Sequence, residues 1–267
     1  MFTLLHTNDF HNHLRDRQAR RLQTCRQELG TRGLLLDAGD AIASGNVTFR
    51  PGGEPILERM TRIGYDAMTV GNREFHVWPR GLRCKLFRAG FPVLCANLRP
   101  SLSRASADAE SLSGLPYAAL EPHSEERVRP YIVIEPEPEW RIVVFGLTVP
   151  MVTERMLARK FSAYVFDDPV RTGSALAPAL RQQFQPRLLV ALTHIGIAQD
   201  RRLAAAAPDI DIIIGGHTHI ALEQGERVGD TLIAHAGCFA HFLGRIEIET
   251  EAGAERAPTM RASLETL

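Results

Sequence analysis

Short apolar runs alternate with segments of helical period from the amino end onward. Residues 2–7 read as extended, 14–29 as helical, 34–36 as extended, 55–63 as helical and 67–70 as extended. The alternation continues through a helix at 79–89, a strand at 92–95, a helix at 170–183, a strand at 188–192, a helix at 200–207 and a strand at 210–214. Strands separated by helices pair in parallel, which predicts an α/β fold. The pattern changes in two places. Residues 131–135 and 141–145 flank a turn at 136–139, while 231–235 and 243–248 are set off by Gly229-Asp230, Gly237 and Gly244. Both pairs read as antiparallel strands. The sum is two sheets, partly parallel and partly antiparallel, with helices outside.

Between 99 and 130 the periodicity fades into SLSRASADAESLSG and EPHSEERVRP, which reads as an insertion within a single domain spanning 1–267. Hydrophobic residues make up 45% of the chain and charged residues 23%, enough apolar surface for a full core, so disorder is excluded. Lysine plus arginine and aspartate plus glutamate both number 31, leaving no basic field to hold a long nucleic acid. Cys25, Cys84, Cys95 and Cys238 lie far apart with no CxxC pair, and read as small core residues in a reducing compartment. The opening MFTLLHTNDF lacks a basic n-region, and no apolar run approaches the roughly 18 residues of a membrane span. The expected location is the cytoplasm, away from any membrane.

Metal-ligand residue types fall just after strand ends. Asp9 and His11 follow the first strand, Asp40 the second and Asn72 the third; His194 follows 188–192, and His217 and His219 follow 210–214. In open α/β sheets, sites form at the carboxyl ends of strands, so these five loops are expected to converge. Neighbouring glycines let the backbone turn sharply beside an ion. Imidazole nitrogens mixed with hard carboxylate oxygens suit two divalent ions, Mn²⁺ or Zn²⁺ first and Fe after them, rather than Ca²⁺ or Mg²⁺. Seven ligands exceed the need of one ion, and a bridging carboxylate would serve two, as in phosphate ester displacement.

The ordered set DxH, GD, GNxE, H and GHxH resembles the calcineurin-like metallophosphoesterase superfamily. The elements HTNDFH, LLLDAGD and GNREF are most similar to the catalytic domain of its 5′-nucleotidase branch. The resemblance implies a four-layer α/β/β/α sandwich of two mixed sheets. It also implies one ion on Asp9, His11, Asp40 and His219, and a second on Asp40, Asn72, His194 and His217. No carboxyl-terminal nucleoside-binding domain is expected. Where the family carries a catalytic histidine and, three residues later, an aspartate, this sequence has Arg73 and His76.

Arginine cannot act as a general acid near neutrality, but its donors can hold charge on phosphoryl oxygens. Arg73 is therefore expected to clamp the phosphoryl group, His76 to protonate the leaving group, and Glu74 to support a ligand loop. The expected reaction is hydrolysis of small phosphate esters, phosphomonoesters and 5′-nucleotides first, by a hydroxide bridging the two ions. A phosphodiesterase or pyrophosphohydrolase is the alternative enzyme. A catalytically weak metal- or phosphate-sensing protein is the alternative of another class. The oligomeric state is left open. Among the remaining residues, His6 is expected to buttress the sheet, Trp78 and Phe91 to belong to the core, and Asp37 and Asp211 to bind loop backbone. Asn97 is divided evenly between substrate and loop, and His123 and His235 read as surface or packing residues. The loop of His241 is within reach of the cleft.

Overall fold

The computed structural model describes residues 1–101, 128–137, 140–249 and 259–267. Its strands are β1 (Phe2–Thr7), β2 (Gly33–Asp37), β3 (Ala67–Thr69), β4 (Val93–Leu94), β5 (Leu98–Pro100), β6 (Val128–Arg129), β7 (Tyr131–Glu137), β8 (Trp140–Thr148), β9 (Tyr164–Phe166), β10 (Leu188–His194), β11 (Ile212–Gly215), β12 (Glu226–Val228), β13 (Thr231–His235), β14 (Phe242–Glu249) and β15 (Thr259–Thr266). The helices are α1 (Asp16–Leu29), α2 (Pro55–Ile63), α3 (Pro79–Leu86), α4 (Pro169–Phe184) and α5 (Ile197–Ala206). One sheet runs β15-β14-β1-β2-β3-β4-β6, a second runs β12-β13-β11-β10-β8-β7, and β5 pairs with β9 in a small third ladder.

Alternation along the strands sorts apolar side chains into three layers. Leu4, Leu36, Val144, Val190 and Ile214 from both large sheets fill the space between them. Leu5 and Leu35, on the opposite face of their strands, meet Leu22 of α1 and Leu57 and Met60 of α2. Val143, Leu189 and Ile213 meet Leu176 of α4 and Leu203 of α5. Three apolar layers make four layers of secondary structure, the α/β/β/α sandwich. Local chemistry fixes the helix ends: α2 opens on Pro55 and stops at Gly64 in the left-handed region, and the Asp168 carboxylate that begins α4 accepts the Arg171 N–H at 2.8 Å.

Three sequence expectations change. Strand β13 does not pair with β14; it lies parallel to β11 in the other sheet and antiparallel to β12, while β14 runs antiparallel to both β1 and β15. The ends of the supposed insertion belong to the sheets, since β5 pairs with β9 and β6 with β4; its remainder, residues 102–127 with His123, lies outside the described residues. Trp78 is 53% exposed rather than in the core, its indole N–H donating to the Phe161 carbonyl, whereas Phe91 is buried. No helix among the described residues is long and apolar enough to cross a membrane.

Candidate metal centre

Strands β1, β2 and β3 run parallel in one sheet, and β10 and β11 run parallel in the other. Their carboxyl ends face one another, and the loops that follow are stitched together by backbone bonds. Asp9 N donates to Gly39 O, His11 N to Asp40 O and Asn12 N to Ala41 O, all at 2.8–3.0 Å. Bonds also cross between the sheets: the His194 ring Nδ1 lies 2.7 Å from Ala38 O, and His217 N donates to Asp9 Oδ2 at 2.9 Å. Asp9, His11, Asp40, His217 and His219 all have φ between 46° and 78°, a region that non-glycine residues seldom occupy. Such strain clusters where the surrounding structure over-determines a functional loop.

The seven expected ligands converge as two groups that share Asp40. In the first, His11 Nε2 and His219 Nε2 are 3.1 Å apart, and they lie 3.6 and 3.4 Å from Asp9 Oδ1. In the second, Asn72 Oδ1 is 3.2 Å from His194 Nε2 and 3.1 Å from His217 Nδ1. Asp40 stands between them, with Oδ2 4.0 Å from His11 Nε2 and Oδ1 3.5 Å from His194 Nε2. Asp9, His11 and His219 bring ligand atoms within 4.8 Å of one another, and so do Asp9, Asp40 and His194.

Cations fit this donor set. Asp9 Oδ2 is satisfied by the Asn8 side-chain N–H and the His217 N–H, but Asp9 Oδ1 is buried without a hydrogen-bond partner. A buried, unpaired carboxylate oxygen facing two imidazole lone pairs is costly unless a positive ion lies among them. The His194 ring shows the same negative potential. Burial disfavours its charged form, yet the hydrogen bond and charge of Asp40 raise its pKa to about 9. The floor, Asp9, Asp40 and His194, is buried, whereas His217 and His219 are exposed at an open mouth.

Glu74 lies beneath the loops, fully buried. Its Oε2 accepts the N–H groups of Asp40 and Gly71 at 2.9 Å each, and its Oε1 accepts that of Ile42 at 3.1 Å. Burial, with the charge of Asp40, pushes its pKa up to about 7. Arg73 lies at the mouth, its N–H donating to Asp40 Oδ1 at 2.7 Å and its guanidinium Nε 4.0 Å from Asp40 Oδ2. His76 is completely buried: its Nδ1 accepts the Trp78 backbone N–H at 3.0 Å, and its ring covers Gly81 so closely that a Cβ there would come within 2.2 Å.

The family model for calcineurin-like phosphoesterase matches residues 2–221. The chain belongs to the calcineurin-like phosphoesterase family. That family implies divalent metal ions, for which the groups above offer ligand atoms. The trifunctional nucleotide phosphoesterase protein YfkN of Bacillus subtilis (strain 168) is 32% identical, over 92% of this chain and 18% of that protein. A snake venom 5′-nucleotidase of Crotalus adamanteus is 31% identical, over 84% of this chain and 38% of its own length. Among solved structures, a 5′-nucleotidase precursor from Thermus thermophilus superposes with a TM-score of 0.71 at 25% identity, covering 99% of this chain and 54% of that one. The chain thus spans 18% and 38% of the length of these two curated relatives.

Several residues around this centre escaped the sequence reading. Lys85 is fully buried and donates to the carbonyls of Gly45, Arg73 and Phe75 at 2.6–2.9 Å, holding the Arg73 loop; burial lowers its pKa to about 8. Phe239, with φ 56°, donates its N–H to Asp9 O, and its ring stands 5.6 Å from both His11 and His219 and 4.7 Å from His13. The run of small residues around it gave no signal; the loop drew notice through His241, which is exposed 6.2 Å from the Phe239 ring. Beneath the GGHTH loop, His235 Nε2 is 2.8 Å from Asp200 Oδ2, and Thr193 donates to Asp200 Oδ1 at 2.6 Å. Asn97 serves the loops, bonding to the backbone of Thr148 and Asp167. Asp37 and Asp211 likewise bind Gly39 N and Leu189 N.

Proposed function

We propose that this phosphoesterase hydrolyses small phosphate monoesters, 5′-nucleotides among them, at a binuclear centre whose bridging ligand is Asp40. The observation that carries this reading is the placement of the two Asp40 oxygens, one toward His11 and the other toward His194. Asp9, His11 and His219 would complete one coordination sphere, and Asn72, His194 and His217 the other. Mn²⁺ or Zn²⁺ suits this nitrogen and oxygen set, supplying Lewis acidity toward the phosphoryl oxygens and acidifying the attacking water. Relatives named 5′-nucleotidase and nucleotide phosphoesterase support nucleotides as substrates.

Arg73 clamps the equatorial phosphoryl oxygens, because its guanidinium Nε lies at the mouth, 4.0 Å from the Asp40 carboxylate that both spheres share. Glu74 keeps Asp40 in register through the backbone. Protonation of the leaving group by His76 would require its ring to leave the Trp78 N–H and the cover of Gly81. That burial favours a second reading for part of the substrate range: pyrophosphates and aryl diesters, whose weakly basic leaving groups depart without a proton. The four cysteines are free, which fits work in a reducing compartment such as the cytoplasm.

The test is turnover of aryl and alkyl phosphate mono- and diesters by chelator-stripped protein reloaded with Mn²⁺ or Zn²⁺, plotted against leaving-group pKa. Metal-dependent monoester turnover with a steep slope, unchanged by His76→Ala, supports Arg73 acting without an acid. A shallow slope that steepens in His76→Ala restores the acid role to His76. Absence of turnover on every ester despite metal binding would leave a sensor in place of an enzyme.

A further inference from the structure

A second feature lies among the segments that follow β1 and β2, the same strands whose loops carry His11 and Asp40. The loop after β1 carries His11 and continues into Asn12 and Leu14, and the loop after β2 carries Asp40 and continues to the first turn of α2. Between these loops lies a cavity of about 460 Å³. Four arginines line it, Arg50, Arg59, Arg62 and Arg88, against one carboxylate, Glu58.

Each guanidinium has a partner. Arg59 donates to Leu14 O at 2.7 Å and pairs with Asp16 at 2.9 Å, while Arg88 donates to Gly52 O at 2.6 Å. Arg50 is drawn inward by the buried Glu54 at 2.6 Å. Glu58 is bound by Arg62 at 2.6 Å and by Arg88, so a carboxylate already lies where the cations converge. Each guanidinium presents five N–H donors, and these pairs engage few of them. Ile56, also in the wall, belongs to the opening turn of α2, where the helix dipole favours an anion; Pro55 beside it offers no N–H. Forked donors around a concave space match the several oxygens of a phosphate better than the two of a carboxylate.

We propose that this cavity is a subsite for a second phosphate group of the substrate, so that the enzyme acts on compounds bearing two phosphates, one at the metal centre and one among the arginines. Asn12, the residue after His11, lines the cavity and so stands between the two in sequence. This deepens the phosphoesterase reading above and rests on it. The substrate class is a small bisphosphorylated molecule, of which a nucleoside 3′,5′-bisphosphate is one geometry.

Two measurements test it. Manganese-loaded protein is assayed with a nucleoside 5′-monophosphate and with the corresponding 3′,5′-bisphosphate. The ratio of kcat/KM values should favour the bisphosphate and fall about tenfold in Arg62→Gln and in Arg59→Gln, the loss expected for one charge-assisted contact. A ratio equal in wild type and variants overturns the proposal. In the second, chelator-treated protein is titrated calorimetrically with inorganic phosphate, which isolates the cavity from the metals. Binding that weakens in both variants supports the subsite, and binding that is absent or unchanged by them overturns it. Arg62 is 70% exposed in its side chain and pairs with Glu58 on its own helix, so its loss should spare the fold. If neither ester is turned over but phosphate binding still depends on the arginines, the anion site stands and the phosphoesterase reading fails.

Discussion

Gly71 has no room for a methyl group. A Cβ there would lie 2.2 Å from Asp40 N, 2.3 Å from Asp40 Oδ1 and 2.7 Å from Glu74 Oε2. Non-bonded contacts settle near about 3.5 Å, so these neighbours would have to retreat by about 1 Å. Asp40 cannot retreat alone, because its N–H and that of Gly71 both bond to Glu74 Oε2, and the Arg73 N–H bonds to its Oδ1. The shift therefore reaches both ligand groups through the carboxylate they share. Gly71→Ala should lower kcat/KM by about 10²-fold or more, the scale of a 1 Å misplacement of reacting groups, and stability by about 1–3 kcal/mol from overpacking. Gly45→Ala, in the loop that follows β2, is the control, since its nearest neighbour would lie at 3.7 Å. The assay compares metal-dependent turnover of both variants, with thermal melts showing that each is folded. A folded Gly71→Ala enzyme as active as Gly45→Ala would refute the reasoning.

Two further predictions concern buried charge. Lys85→Met leaves three carbonyls without their donor and removes a cation beside buried Glu74 and Glu54. It should cost about 3 kcal/mol or more in urea unfolding, and an unchanged midpoint would contradict that. His6 lies fully buried against Gly244, and burial, with the charge of His235, lowers its pKa from 6.5 to about 3. Between those values the unfolded chain binds a proton that the folded chain refuses. Its contribution to stability is thus present above pH 6.5 and lost as pH falls toward 3, at up to about 1.4 kcal/mol per pH unit. His6→Phe should flatten that acid limb in denaturant melts, and superimposable limbs would contradict the assignment.

Sequence legibility followed the strength of local periodicity. Residues 2–7, 55–63 and 231–235 match β1, α2 and β13 end for end, because apolar spacing and Pro or Gly punctuation mark them. Pairing was less visible. Whether β13 joins β14 or β11 depends on contacts across the fold, and an eight-residue period-two signal such as Met260, Ala262 and Leu264 in β15 is easily passed over on a mostly polar edge strand. Strands of two or three residues, such as β5, β6 and β12, carry no period at all.

At the site, the positions of Asp9, His11, Asp40, Asn72, His194, His217 and His219 were legible because each follows a strand that ends at the same face. Of the supports, Glu74 was expected beneath a ligand loop and Lys85 was not. Lys85 reads as an ordinary basic residue on α3, and its burial beneath Arg73 and Phe75 follows from tertiary packing. His76 shows the converse: its spacing after Asn72 suggested a catalytic place, but the chain turns it inward onto Trp78 and Gly81.

The central claim is that Asp40 joins two metal spheres. Titration of chelator-stripped protein with Mn²⁺, following bound metal and ester turnover together in wild type and Asp40→Asn, tests it most directly. The expected result is two ions per chain in the wild type, turnover that rises with the second, and loss of that second ion with most of the turnover in Asp40→Asn. One ion per chain at full activity, or an Asp40→Asn enzyme that binds and turns over like the wild type, would contradict it.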